Sequence, residues 1–147
     1  MGVISSRWAD AASGDAQTIF ALLRKMHAEV GRAPLNPDKA LYAIGATVEA
    51  GLARMVFDGS DLVGSFGLWR SEWWFGDEKM LMSQWLYVAP SHRAGNVLKL
   101  MLGDIRDLVD EEGIAAYVHV YKTRPDGRLA EIAEELGVVP SGRIIAI

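Results

Sequence analysis

Met80-Leu-Met-Ser-Gln-Trp-Leu-Tyr-Val88, Ala89-Pro-Ser-His-Arg-Ala-Gly-Asn96 and Val97-Leu-Lys-Leu-Met-Leu102 follow one another in the chain, and their reading decides the fold. The first piece is strand-like, Pro90 breaks it, and the third opens an amphipathic helix. Ser91 to Asn96, between them, is small, polar and basic. A loop that feeds a helix N-terminus aims several backbone N–H groups at one spot, and the helix dipole adds partial positive charge there. The stretch therefore suits a phosphate or pyrophosphate, with Arg93, His92 and Lys99 adding charge. Read from its residues alone, it is equally a plain strand-to-helix connection with a proline stop and a surface arginine.

Working outward, Lys79 to Val88 closes a meander with Leu52–Phe57 and Leu62–Arg70, which are joined through the turn Asp58-Gly-Ser-Asp61. Upstream, Val3–Trp8 reads as a strand, and Ser13-Gly-Asp15 caps a helix that runs to about Val30. Ile19, Phe20, Leu23, Met26 and Val30 give that helix its buried face. Asn36 caps a second helix that starts at Pro37, carries Leu41, Ile44 and Val48 inward, and ends at Gly51. Downstream, the helix from Val97 runs to Glu112 and stops at Gly113, with Glu111 and Glu112 opposing its dipole. Ile114–Tyr121 reads as a strand, Asp126–Leu136 as a helix, and Val138–Ile147 as two short strands. The order is β-α-α-β-β-β-α-β-α-β-β. It predicts an α/β (α+β) fold with a mixed, mostly antiparallel sheet and about four flanking helices.

Composition bounds the function. The 147 residues suit one domain, 1–147, with one well-formed core. No apolar run approaches membrane-spanning length, and the first residues lack the apolar core of a signal peptide. No membrane partner is expected. The chain has no cysteine, which removes disulfides and thiolate chemistry and fits a cytoplasmic protein. His27, His92 and His119 lie far apart without ligand spacing, so no metal is expected. A net charge of −4 disfavours nucleic acid and is compatible with a cationic amine.

Val88-Ala89-Pro90-Ser91-His92-Arg93-Ala94-Gly95-Asn96-Val97 resembles motif A of the GCN5-related N-acetyltransferases (GNAT). There Val-x-Pro-x-x-Arg precedes a glycine-rich turn between a strand and a helix. Val88, Pro90 and Arg93 match, while Ala94, Asn96 and Leu98 stand where that family usually has Gly, Gly, and Gly or Ala. Asn96 is the mildest change if the backbone is left-handed there. Leu98 crowds the approach of a pyrophosphate. The element order is similar to that family over the whole chain, and Leu129-Ala-Glu-Ile-Ala-Glu-Glu-Leu-Gly-Val138 resembles its closing helix.

The resemblance implies an acetyl-CoA-dependent N-acetyltransferase that moves an acetyl group to a primary amine of a small molecule or peptide. Transfer would be direct, within a ternary complex. It implies a β-bulge and a splay between the fourth and fifth strands. Leu86, Tyr87 and Val88 would then line the acetyl-CoA site, Arg93, Ala94, Gly95, Asn96, Val97 and Leu98 would hold the pyrophosphate, and Asp126 would replace a usual Asn. The family's frequent acid, a Tyr of the last helix, is Ala133 here, so Tyr121 is the catalytic acid expected, with Tyr87 as substitute. Glu78 is the base expected, ahead of Glu72, Glu29 and His119, and water could serve instead. Glu29, Trp73 and Trp74 would form the acceptor wall. Trp73, Trp74 and Phe75 fit a dimer contact or a lid equally well, and a homodimer through them or through the terminal strands is expected. The rival class is a GNAT-fold binding or interaction module with weak or absent CoA binding. A third reading is a transferase acting on something other than an amine.

Overall fold

The computed structural model describes residues 2–31, 33–119, 139–141 and 144–146. The elements are β1 Ile4–Trp8, α1 Asp15–Val30, α2 Pro37–Glu49, β2 Ala53–Asp58, β3 Asp61–Glu72, β4 Lys79–Val88, α3 Val97–Glu112, β5 Ala116–His119, β6 Val139–Ser141 and β7 Ile144–Ala146. The strands form one sheet in the order β1-β2-β3-β4-β5-β7-β6, antiparallel except where β5 lies parallel to β4. The expected helix Asp126–Leu136, with Tyr121, lies outside the described residues.

Local chemistry explains the helix ends. Asn36 Oδ1 accepts the Lys39 N–H at 3.1 Å and Pro37 supplies the first turn of α2, as its sequence requires. The start of α1 differs from expectation. Ser13 does not cap it: Gly14 holds that position without a side-chain bond, and Ser13 Oγ donates to Asp10 instead. Asp15 turns back to accept two hydrogen bonds from Arg7, at 2.6 and 3.0 Å, and the Asp10 N–H at 2.7 Å. That buried carboxylate ties α1 to β1. At the far end of α3, Glu112 is held by Arg70 of β3 at 2.5 and 2.7 Å, which offsets its poor position on the dipole.

The sheet separates two apolar layers. On one face α3 buries Met101, Leu102 and Ile105 against Phe66, Leu68 and Leu81. On the other, α1 and α2 bury Ile19, Leu22 and Ile44 against Met55, Trp85 and Tyr87. Each fully buried side chain of this size contributes about 1.5–3 kcal/mol.

One irregularity positions everything that follows. Gly67 pairs with Trp85 but Leu68 pairs with Ser83, so Gln84 is an extra residue in β4. This bulge puts two successive side chains on the α1/α2 face. Gln84 Nε2 donates to Thr47 Oγ1 of α2 at 2.9 Å, and Trp85 lies in the α1/α2 layer. Trp85 Nε1 donates to Ser65 Oγ at 2.9 Å, and that hydroxyl donates to Arg54 O at 2.8 Å. The indole fits only because Gly67 has no side chain: a Cβ there would come within 2.3 Å of the ring.

Two predictions follow from these contacts. Gly67→Ala should cost about 1–3 kcal/mol by overpacking, read as a lower urea midpoint at unchanged slope, with a shifted Trp emission. The Arg7 hydrogen bond holds the Asp15 carboxyl below its ordinary value of 3.8. Its contribution is therefore complete above pH 3.8 and is lost as pH falls through the depressed folded value. Urea midpoints measured from pH 7 to pH 2 should fall for the parent chain below that point. Asp15→Asn should start lower at pH 7 and fall less, the residual slope belonging to carboxylates such as Glu112 and Asp10.

Candidate active site

Among the described residues, β4 and β5 pair over two positions, Leu81 with Ala116 and Met82 with Tyr117. Beyond them Ser83 Oγ accepts the His119 N–H at 2.8 Å, a side-chain bond in place of a ladder bond. The Ala89 N–H donates to Val63 O across β3 at 2.8 Å. Backbone direction alternates along a strand, so Leu86 and Val88 turn their N–H and C=O groups away from β3, toward the β5 side. The expected bulge is present, and the chain that follows β5, opposite Leu86 and Val88, lies outside the described residues.

β4 leads on to α3. Gly64 lies under Val97, where a Cβ would come within 2.8 Å of Val97 Cγ1, so the helix start sits close on the sheet. The N-cap Asn96 makes no side-chain cap bond, and the first intrahelical bond runs from the Leu100 N–H to Asn96 O at 2.9 Å. The N–H groups of Val97 and Leu98 therefore have no intrahelical acceptor. Ala94, Gly95 and Asn96 are exposed in front of them. Two expectations change. Leu98 does not crowd the turn, because its side chain packs half-buried on the α3 core layer. Asn96 is not left-handed, with φ −98° and ψ 6°, so this turn makes no demand for glycine at that residue.

Of the three basic side chains expected to reinforce an anion, His92 and Arg93 are turned to carboxylates. His92 Nε2 and Asp58 Oδ2 are 2.8 Å apart, and His92 Nδ1 is 2.8 Å from Ser91 Oγ. Arg93 Nε donates to Val88 O at 3.0 Å, while its Nη2 donates to Glu29 Oε2 and Oε1 at 2.8 and 3.1 Å. Glu29 Oε1 also accepts the Tyr87 hydroxyl at 2.5 Å, and the guanidinium stands 5.4 Å over the Tyr87 ring. Burial, and then the adjacent Glu29 carboxylate, push the Tyr87 phenol up to about 12. Sequence reasoning named Glu29, Tyr87 and Arg93 separately and missed their convergence. Contacts 58 and 64 residues apart carry no local signal.

Other candidates fall elsewhere. Glu78 is exposed just before β4, and the ten residues of that strand carry it roughly 30 Å from the Tyr87 end. Glu78 therefore lies at the end of β4 opposite the cluster of Tyr87, Glu29 and Arg93. Trp74 is 93% exposed at the same far end, so it does not wall the cluster around Glu29. Trp73 stacks on Phe75 and meets the Tyr117 ring edge-on at 5.2 Å, beside the β4–β5 ladder. Tyr121 and Asp126 lie outside the described residues. Among the described residues no three His, Cys, Asp or Glu side chains converge as for a metal ion, and no helix is long and apolar enough to cross a membrane.

This architecture is the GNAT fold. The GNAT-family acetyltransferase of Streptococcus pneumoniae superposes with a TM-score of 0.72 at 10% identity, covering 99% of this chain and 98% of that one. A predicted acetyltransferase of Clostridium acetobutylicum, crystallised with acetyl-CoA, gives 0.71 at 11% identity, covering 95% and 92%. An aminoglycoside acetyltransferase from an uncultured soil metagenomic sample, solved with sisomicin, gives 0.62 at 11% identity, covering 90% and 86%. The sequence itself matches no protein-family model and no curated protein.

The Tyr87 phenol provides a direct probe of the cluster. In a ¹³C-tyrosine NMR titration, the resonance lost in Tyr87→Phe should titrate at about 12. Glu29→Gln should lower that value while leaving it above 10.0, because burial persists. An ordinary phenol at position 87 would refute the arrangement.

Proposed function

We propose that this chain is an acetyl-CoA-dependent N-acetyltransferase whose acceptor is a primary amine of a small molecule or peptide. The observation that carries the reading is the succession of the outward-facing backbone groups of Leu86 and Val88 and a start of α3 with no side-chain cap. A pantetheine amide needs strand-edge partners, a pyrophosphate needs convergent N–H groups, and this chain presents the two in sequence. When bound, acetyl-CoA supplies an activated acetyl thioester and a thiolate leaving group.

The chain's own residues then divide the work. The amides of Val97 and Leu98, with the turn Ala94-Gly95-Asn96, hold the anionic end. Leu86 and Val88 line the donor site through their backbone groups. Glu29 is an anion held by Arg93 and Tyr87, so it attracts and orients an ammonium rather than accepting its proton. Tyr87 Oη keeps its proton at neutral pH and acts as a hydrogen-bond donor, not as a base. The amine proton leaves to water, and Tyr121 is the sequence-based donor to the departing thiolate. Orientation in such a site is worth several kcal/mol without any covalent intermediate. The aminoglycoside acetyltransferase with the same fold supports a small-molecule amine as acceptor.

The engagement of Arg93 and His92 by carboxylates favours one second reading, an interaction module of this fold that does not bind CoA. Calorimetric titration with acetyl-CoA separates the two: micromolar binding is expected, and its absence at millimolar concentration selects the module. Asn96→Asp tests the anion site itself, because it adds a negative charge with almost no change of shape. The variant should melt no lower than the parent, since an acid suits a helix N-terminus, and α3 should gain about 0.3–1 kcal/mol. Its acetyl-CoA affinity should fall at least roughly tenfold, from the charge set against the pyrophosphate. Equal affinity would move the phosphate elsewhere.

A further inference from the structure

Leu68, Leu81 and Ala116 face α3. Strand alternation therefore turns Trp69, Met82 and Tyr117 to the opposite face of the sheet. Register sets them side by side across β3, β4 and β5, Trp69 against Met82 and Met82 against Tyr117. From there the Tyr117 ring meets Trp73 at 5.2 Å, Trp73 stacks on Phe75 at 5.5 Å, and Phe75 meets Trp74 at 5.4 Å. One apolar path thus runs from the middle of the sheet onto the β3–β4 loop, outside the layer that α1 and α2 bury. Trp69 is 51% exposed, Phe75 67% and Trp74 93%. At about 200 Å² per aromatic side chain, these three present roughly 400 Å² to solvent. That reaches the size at which exposed apolar patches serve as interaction sites.

Area, charge and ring geometry choose the occupant. A stable dimer needs about 800 Å² from each partner, twice what this patch offers. Glu72 stands opposite Lys79 in the ladder, which leaves Asp77 and Glu78 as the uncompensated charges of the loop. Both are exposed, and among the described residues neither has a hydrogen bond or ion pair. A second copy would bring these carboxylates against their own kind, and an anionic lipid surface or a nucleic acid would meet the same repulsion. The planes of Trp74 and Phe75 stand at 87°, which offers a cation two ring faces at once. We propose that this surface docks a basic peptide segment, with an arginine side chain against Trp74 and Phe75 and with Asp77 and Glu78 beside its guanidinium. Arginine suits it better than lysine, because a planar cation stacks on a ring while its edge pairs with a carboxylate. The surface lies at the start of β4, at the other end of that strand from α3, so the proposal stands whether or not the chain binds CoA.

The test is calorimetric titration of the full chain with N-acetylated hexa-arginine amide at about 0.15 M salt, where unspecific charge attraction is screened. Trp74 is almost wholly exposed, so Trp74→Ala should melt with the parent. Its affinity for the peptide should nevertheless fall about fivefold, as should that of Asp77→Asn/Glu78→Gln. Asp61→Asn/Asp107→Asn removes the same charge at exposed positions of the far end of β3 and of α3, and should change affinity less than about twofold. No binding by the parent at millimolar peptide overturns the proposal. Equal losses in the two charge variants, with none in Trp74→Ala, also overturn it, because net charge alone then draws the peptide. Sedimentation as a dimer that Trp74→Ala dissolves would give the patch to a second copy instead. Binding to phosphatidylcholine vesicles that the same variant abolishes would give it to a lipid surface.

Discussion

The structure turns on the β4–β5 ladder, which among the described residues consists of two residue pairs. A parallel pair that continues satisfies its own backbone groups and leaves nothing for a ligand. Three local features shape β4 just past that ladder. The bulge at Gln84 sharpens the twist of β4 just past the last paired residues. Ser83 offers its hydroxyl to the His119 amide, so that amide is satisfied by a side chain instead of a strand. On the opposite side β3 remains bonded to β4 up to Val88, which keeps β4 rigid. The bulge is in turn anchored by buried polar contacts, Gln84 to Thr47 and Trp85 to Ser65. Buried hydrogen bonds of this kind fix register because leaving either partner unpaired costs about 1–3 kcal/mol.

The helix that completes the site is held from below and from its flank. Gly64 allows Val97 to sit against the sheet, which sets where the first turn of α3 begins. Farther along, Asp104 of α3 accepts from Arg54 of β2 at 3.1 Å and from Ser6 of β1 at 3.0 Å, while Arg54 stacks over Trp8 at 4.7 Å. These contacts fix the rotation of the helix about its axis, and so the direction of its uncapped amides. Charge at the mouth is arranged differently from charge at the flank. The Arg54–Asp104 pair is well covered, with 17% and 13% of the side chains exposed, and serves as a fastener. Arg93–Glu29, at the mouth, is about twice as exposed, and its pairing is worth correspondingly less to stability.

Much of this was legible in the sequence, and the limits are physical. β4 and α3 fall at their expected boundaries because Pro90 and Gly113 act locally, through a fixed φ and a left-handed turn at φ 70°. The start of α1 was legible but its cap was not. Asp15 is claimed by Arg7 across a tertiary contact, and no rule of local spacing reports that. Glu78 was favoured as a base because it adjoins β4 in sequence, yet a strand is long enough to carry its two ends to opposite sides of a domain. Leu98 looked obstructive only while its rotation on the helix was unknown. Glu29, Tyr87 and Arg93 were each visible as polar residues near element ends, but three elements must fold before they meet.

The degenerate turn and the absence of any sequence match have a common explanation. The groups that would hold a CoA-like donor in this fold are main-chain N–H and C=O groups at a strand edge and a helix start, and every residue type except proline supplies both. Side-chain identity is constrained only where a Cβ would obstruct, as at Gly64 and Gly67, or where the backbone must turn left-handed. In the turn itself no described residue other than glycine has positive φ, and a Cβ on Gly95 would lie 3.7 Å from the nearest neighbouring atom, an ordinary contact. Glycine is therefore dispensable there, and Ala94 and Asn96 can stand in its usual places without closing the turn. A site built from backbone direction can keep its geometry at identities near 10%, where sequence comparison no longer detects it. Such drift acts on side chains, and in this chain those that meet beside the end of β4 are Glu29, Tyr87 and Arg93.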